Sequence, residues 1–312
     1  MRIALSTNWN AKRHKTGESL VDEILSLGFD ALELGYNTTE EHAKGIRARI
    51  DSGAVRADSV HAYCPVPIGA PHGYPELHLL ASADEDERAW AAIMLRETRE
   101  FAESMGARAV VLHAGRIFLQ SWLFGDLGSG RLCSCAEYEG STQSPVYQKL
   151  LSRAKRRREK RAKKVYEFFC QSLEKILPQF EKSKLLLCLE NLPSIEGFPD
   201  ESEISRLCDR FAGSPLRYWH DMGHGQVRYQ LGWMGEHSKV AQALLPITGG
   251  IHIHDAAPLT NDHLPPGEGK IPFPDFAFYA TADIVRVFEP SPGVPHDILA
   301  KSLRYVRQCW GG

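Results

Sequence analysis

The sequence contains no run of about 18 apolar residues, the least that a membrane-spanning helix needs, so a membrane span is excluded. Cysteine is sparse: there are seven in 312 residues, an odd number, scattered, with Cys170 inside YEFFCQ and Cys188 inside LLLCLE. That is the pattern of reduced thiols in a core, and it argues against a disulfide framework. Cys133 and Cys135 form a lone C-x-C without a second pair, which is weak ground for a structural zinc. The opening MRIALSTNWN lacks the long apolar segment of a secretory signal. Together these absences predict a cytoplasmic protein. Charge of one sign is lacking too. At a net −2 no global field draws the chain to nucleic acid or an anionic membrane, although a local patch stays open. Glycine and proline, 26 and 18, are too few for a low-complexity chain.

What the chain does have is apolar material, 43% of its residues, enough for a large core. Short apolar, β-rich runs recur: RIALST (2–7), DALELGY (30–36), ADSVHAY (57–63), ARAVVLHAG (107–115), KLLLCLENL (184–192), LRYWHDMGH (216–224), GGIHIHDA (249–256) and ADIVRVFEP (282–290). Amphipathic helical patterns such as SLVDEILSLGF, ERAWAAIMLRETREFAESMG and SEISRLCDRFAG lie between them, and DILAKSLRYVRQCW closes the chain. Near-continuously apolar strands alternating with helices predict a parallel sheet covered on its outside. Eight such units predict an α/β fold, a closed (β/α)8 TIM barrel running over residues 1–312 as one domain. An open doubly wound sheet is the alternative.

One unit is oversized. Residues 116–183 separate the fourth run from the fifth, and about 116–150 read as an inserted loop, apolar and aromatic at first and Gly/Ser-rich later. Leaving the C-terminal end of the fourth strand, it is expected to form a lid or wall over the barrel mouth. The basic run RAKRRREKRAKK (153–164) then reads as the solvated first turns of a long helix outside the barrel, away from the mouth. A phosphate-rich or nucleic-acid partner is the other reading of that run.

Chemistry concentrates at the strand ends. The third run carries His61, the fourth His113, the fifth Glu190-Asn191 and the sixth His220-Asp221-Met222-Gly223-His224; the seventh carries His252, His254 and Asp255, and the eighth ends in Glu289-Pro290. In a TIM barrel these ends converge on one mouth. One strand-terminal Glu is unremarkable, but acids or imidazoles ending six successive strands call for a cation, because buried unpaired carboxylates are costly. His252 and His254 share a face; His254, nearer the strand end, is expected at the mouth, with His252 a layer deeper as a hydrogen-bonded core histidine. Gly223 is expected to let the backbone turn sharply between Asp221 and His224. A divalent ion held by Glu190, Asp221, His254 and Glu289 follows, and three carboxylates with one imidazole suit Mn²⁺, Mg²⁺, Co²⁺ or Zn²⁺.

In the ordered set LELGY, VHAY, VVLHAG, LCLENL, WHDMGH, IHIHDA, HLPPGEGKIPF and VFEP, the chain resembles the xylose isomerase-like TIM-barrel superfamily over essentially its whole length. That superfamily includes sugar-phosphate isomerases and epimerases and endonuclease IV. From the first branch the resemblance implies one metal on Glu190, Asp221, His254 and Glu289. Glu190 and Glu289 would be the catalytic acid and base on a small sugar or polyol, His224 would sit on a substrate hydroxyl, and Glu33 would be a wall or supporting residue. From the endonuclease branch it implies a three-zinc site in which His61, His113 and His224 join the acids with an Asp/His pair, here Asp262 and His263, for hydrolysis of a phosphodiester at abasic sites in DNA. The endonuclease pattern separates that pair by one residue, whereas here the two are adjacent. Lys270, in GEGKIPF, either touches a phosphate or carboxylate or belongs only to a turn, and Trp9 and Asn10 are candidate pocket walls. The expected function is therefore a metal-dependent sugar isomerase or epimerase working by glutamate proton transfer, with the zinc hydrolase as its alternative. The expected partner is a small-molecule sugar; near-neutral charge argues against nucleic acid, and related barrels often pair into homo-oligomers.

Overall fold

A computed structural model of the protein describes residues 1–120 and 125–311, so four residues of the expected insertion, 121–124, lie outside the described residues. Strands β1 Ala4–Ser6, β2 Ala31–Leu34, β3 Arg56–His61, β4 Ala109–Leu112, β5 Leu186–Glu190, β6 Leu216–Asp221, β7 Thr248–Ile253 and β8 Val285–Phe288 close into a parallel barrel, each beside its neighbours in sequence and β8 beside β1. This is the TIM barrel that the alternation of runs predicts, and the open sheet is ruled out.

The strands are apolar on both faces because both faces are buried. Their outer side chains, such as Leu5, Leu32, Val60, Val110 and Leu189, join the large core beneath the helices. The inner ones form a separate small core of Ala4, Ala31, Ala109, Val111, Cys188, Trp219, Val285 and Val287. Trp219 fills the barrel axis among these small residues. A methyl on Gly250 would lie 2.1 Å from its ring. Gly250→Ala is therefore expected to cost about 1–3 kcal/mol, typical of overpacking, and to lower Tm by several degrees in calorimetry. An unchanged Tm would mean that Trp219 can move aside.

Helices α1 Gly17–Ser26, α2 Glu40–Asp51 and α3 Glu85–Ser104 cover the first half of the barrel. Their starts are fixed by Thr16, Thr39 and Asp84, whose side chains accept backbone N–H groups of the first turn. On α1, Glu23 ties three segments together. It accepts from Arg13 and Asn10 in the chain after β1, and meets His14 at 2.6 Å and His296 of α9 (His296–Cys309) at 2.6 Å. Burial pushes its carboxyl up, but hydrogen bonds from Arg13, Asn10, His14 and His296 outweigh it and bring the pKa down to about 2. A lowered folded-state pKa stabilises above the unfolded value and is lost on acidification. The Tm gap between wild type and Glu23→Gln should be full above about pH 5 and close as pH falls toward 2. A gap independent of pH would overturn this account.

The insertion is more ordered than a loop. Gly115–Arg116 pairs antiparallel with Gly197–Phe198, α4 spans Ser129–Glu139, and α5 runs 39 residues from Pro145 to Ser183, capped by Ser144. The basic run thus lies inside α5, not in its first turns. Nor is it wholly solvated. Arg157 and Arg161 donate to the carbonyls of Leu119 and Phe118, in the segment that leaves β4. Arg158 is buried, paired with Asp200 and Glu203 at 2.7 and 2.8 Å and donating to the carbonyls of Ile195 and Gly197 beyond β5. The N-terminal half of α5 packs on the segments that follow β4 and β5. Helices α6 Glu201–Arg210, α7 Met222–Gln230 and α8 His237–Leu244 cover the rest of the barrel with α9. Among the described residues no helix is long and apolar enough to cross a membrane.

Candidate metal centre

The barrel register decides which side chains meet. Asp221, the last residue of β6, is paired with His252 of β7, and His252 with Val287, two residues before Glu289. His252 Nδ1 consequently lies 3.5 Å from Glu190 Oε1, 3.5 Å from Asp221 Oδ2 and 3.1 Å from Glu289 Oε2. These four residues, all buried, have donor atoms within 4.8 Å of one another. The expected quartet had His254 in place of His252; in the structure it is His252 whose Nδ1 faces the three acids. β7 ends at Ile253, three residues earlier than the sequence run, and the chain then leaves as a ribbon of Asp255–Ala257 against Asn261–Leu264. His254 is thereby turned to other work. Its Nδ1 accepts the backbone N–H of His263 at 2.8 Å, so its Nε2 carries the proton facing Asp221 Oδ2 at 2.8 Å. With both nitrogens engaged, His254 holds Asp221 in place.

Asp221 has a second task. Its Oδ1 caps α7 by accepting the N–H of His224 at 2.7 Å. The turn expected at Gly223 is instead the first turn of that helix, and the glycine is needed for space, because a methyl there would lie 2.0 Å from the His254 ring. His220, beside Asp221, faces away from the group and bonds Tyr279 and His237 at 2.7 and 3.0 Å.

A second group adjoins the first through Glu190. His61 Nε2 and His113 Nε2 lie 3.1 and 3.3 Å from Glu190 Oε2. On the far side His224 Nδ1 lies 3.3 Å from Glu190 Oε1, and His224, His254 and His263 form a third cluster. Asp262 stands 3.9 Å from His224 Nε2, at the edge of that cluster. His263 adopts φ of 54° and its Nδ1 meets the Glu289 carbonyl at 3.0 Å. Lys270 is exposed. Its turn is held by Asp255, whose carboxylate accepts from the N–H groups of Gly267, Gly269 and Ile271.

Three supporting residues have no role assigned from the sequence. Asn8, not Asn10, reaches the site, its Nδ2 donating to Glu289 Oε1 at 3.3 Å; Trp9 and Asn10 bond the Val294 and Leu20 carbonyls elsewhere. Asn191 accepts the Asp221 N–H and donates to the Asp221 carbonyl, bracing β5 against β6. Glu76 joins Arg116 and approaches His113 Nδ1 at 3.6 Å. Polar residues within loops give no periodic signal, so only Asn191, adjacent to Glu190, is within reach of motif reading.

Burial and charge oppose each other here. Burial raises the Glu190 carboxyl, but His113 and His252 hold it well below the usual range; Asp221 is likewise held low by His224 and His254. Burial lowers His113 and His224, yet Glu190 lifts the first to about 9, and Asp221 with Glu190 lifts the second to about 10. The acids thus demand positive charge. Two like charges 4 Å apart repel by about 4 kcal/mol at an effective dielectric of about 20. Glu190 Oε1, His252 Nδ1 and both ring nitrogens of His113 are buried without a hydrogen-bond partner among the described residues. His61 donates through Nδ1 to the Ala62 carbonyl and turns Nε2 toward Glu190 Oε2 at 3.1 Å. Orphaned donor atoms of oxygen and imidazole type, in two groups that share Glu190, fit a divalent cation.

A closed (β/α)8 barrel with clustered acids and imidazoles on its C-terminal rim is a TIM barrel. The sequence profile of the xylose isomerase-like TIM barrel matches residues 21–282, and the chain belongs to that family. Among solved structures it is similar to the 3-keto-D-glucoside 4-epimerase YcjR of E. coli (TM-score 0.69, 14% identity, covering 99% of this chain and 100% of that one). It is also similar to a D-psicose 3-epimerase with D-tagatose from Clostridium cellulolyticum (0.67, 13%, 99% and 99%). A Thermus thermophilus protein soaked with zinc chloride matches at TM-score 0.58 and 16% identity over 99% of this chain and 97% of that one. At such identities the likeness is one of fold. No curated protein matches the chain.

Proposed function

We propose that the protein is a divalent-metal-dependent isomerase or epimerase of a small sugar or sugar-like polyol. One observation carries this reading: Glu190 and Glu289, from strands on different sides of the β6–β7 pair, both reach the same nitrogen of His252 beside Asp221. Glu190, Asp221, His252 and Glu289 would hold the ion, of Mn²⁺, Mg²⁺, Co²⁺ or Zn²⁺ type. A divalent ion bound there supplies Lewis acidity that polarises a substrate carbonyl and its neighbouring hydroxyl. One glutamate takes the proton from the adjacent carbon and the other returns one across the substrate plane. Asn8 orients the Glu289 carboxylate from behind, and His254 and Asn191 keep Asp221 fixed. The solved epimerases of the same fold support the sugar class.

The second reading, a zinc-dependent hydrolase or phosphodiesterase of the endonuclease IV type acting at abasic sites in DNA, is favoured by a specific feature: the His61–His113–Glu190 group shares Glu190 with the quartet, and His224 and His263 stand beside it. Two measurements separate the readings. Elemental analysis should find about one metal per chain for the isomerase and two or three zincs for the hydrolase. Incubation with a ketose panel in D₂O should label the exchanging carbon for the isomerase; a null result over a broad panel with several zincs bound would transfer the assignment to the hydrolase.

A further inference from the structure

Below the quartet lies a buried carboxylate that takes no part in the reaction steps of either reading. Glu33 of β2 is fully sequestered, and it is paired in register with Ser59 of β3. Both its oxygens lie 3.1 Å from His252 Nε2, and Ser59 Oγ donates to Oε2 at 2.8 Å. Burying a fourth carboxylate beneath Glu190, Asp221 and Glu289 is costly unless it has a specific partner. Among the described residues its hydrogen-bonded ring partner is the far nitrogen of His252, the imidazole that touches all three acids above.

We infer that Glu33 is a positioning residue that fixes His252 as an Nδ1 donor to the centre, and that Ser59 fixes Glu33 in turn. A carboxylate accepts, so Nε2 donates to Glu33 and Nδ1 is the nitrogen turned toward Glu190, Asp221 and Glu289, with no ring flip needed to present it there. Ser59 occupies part of one Glu33 oxygen, which restricts rotation of the carboxylate. Carboxylate support of a ligating imidazole raises its basicity and sets its orientation, and losing such a partner commonly weakens metal binding about tenfold to hundredfold.

The inference rests on the metal reading, and the test keeps the two apart. Purified wild type, Glu33→Gln and Ser59→Ala are stripped of metal and titrated with Zn²⁺ and Mn²⁺ by calorimetry, with Tm recorded before and after loading. Glu33→Gln should keep or raise the metal-free Tm, lose about tenfold to hundredfold in affinity and show a smaller metal-induced rise in Tm. Ser59→Ala should change in the same direction by less. A merely structural Glu33 would do the reverse, lowering the metal-free Tm and leaving affinity intact, and that result overturns the inference. If wild type binds no divalent ion, the metal reading fails by itself. Long-range ¹H–¹⁵N correlation of the His252 ring in the metal-free protein then still decides: a protonated Nε2 supports the role of Glu33, and a bare Nε2 with protonated Nδ1 refutes it.

Discussion

Glu190→Gln should lower kcat by at least about a hundredfold, the lower bound for loss of a positioned acid or base, while the circular dichroism spectrum of the barrel is unchanged. Glutamine has the same shape, so the packing of β5 between β4 and β6 is retained. What changes is charge. Glu190 faces His61 and His113 through one oxygen and His224 and His252 through the other, so a single substitution removes the anion shared by the quartet and the His61–His113 group. Metal content, measured on the same preparation, should fall as well. The readout is turnover of whichever ketose exchanges deuterium, and near-normal turnover by Glu190→Gln would refute the acid–base assignment under either metal count.

His252→Ala should weaken metal binding by more than the tenfold to hundredfold that removal of an outer partner costs, whereas His254→Ala should stay within that range. The reasoning is one of occupied nitrogens. His254 has none to give, because the His263 N–H takes one and Asp221 the other, while His252 offers Nδ1 to three carboxylates. Calorimetric titration of both variants with the same ion gives the order directly. The opposite order would restore His254 as the ligand and make His252 the buried support.

Much of the fold is legible because the barrel period is carried by apolar strand runs, which depend on local composition alone. The strand-terminal acids are legible for the same reason: Glu190, Asp221 and Glu289 end or follow such runs. The choice between His252 and His254 is not, because it depends on stagger between strands. Alternation says that the two share a face, but only the pairing of Asp221 with His252 says which is level with the acids. Asn8 and Glu76 belong to irregular segments that come near the site only through tertiary closure. The basic run departs from its expected place for a related reason: the helix signal starts where apolar spacing becomes regular, yet Ser144 and Pro145 begin α5 much earlier, and the length of α5 carries the cationic residues up against the segments leaving β4 and β5.

Trp219 stoppers the tube just below His252, its ring 5.1 Å from that imidazole and pressed against Gly250. A molecule reaching the rim has no rear exit. Arriving reactant and departing product must share one doorway, so product is expected to compete with reactant for the free enzyme, and the pace of exchange is set by the segments around that doorway.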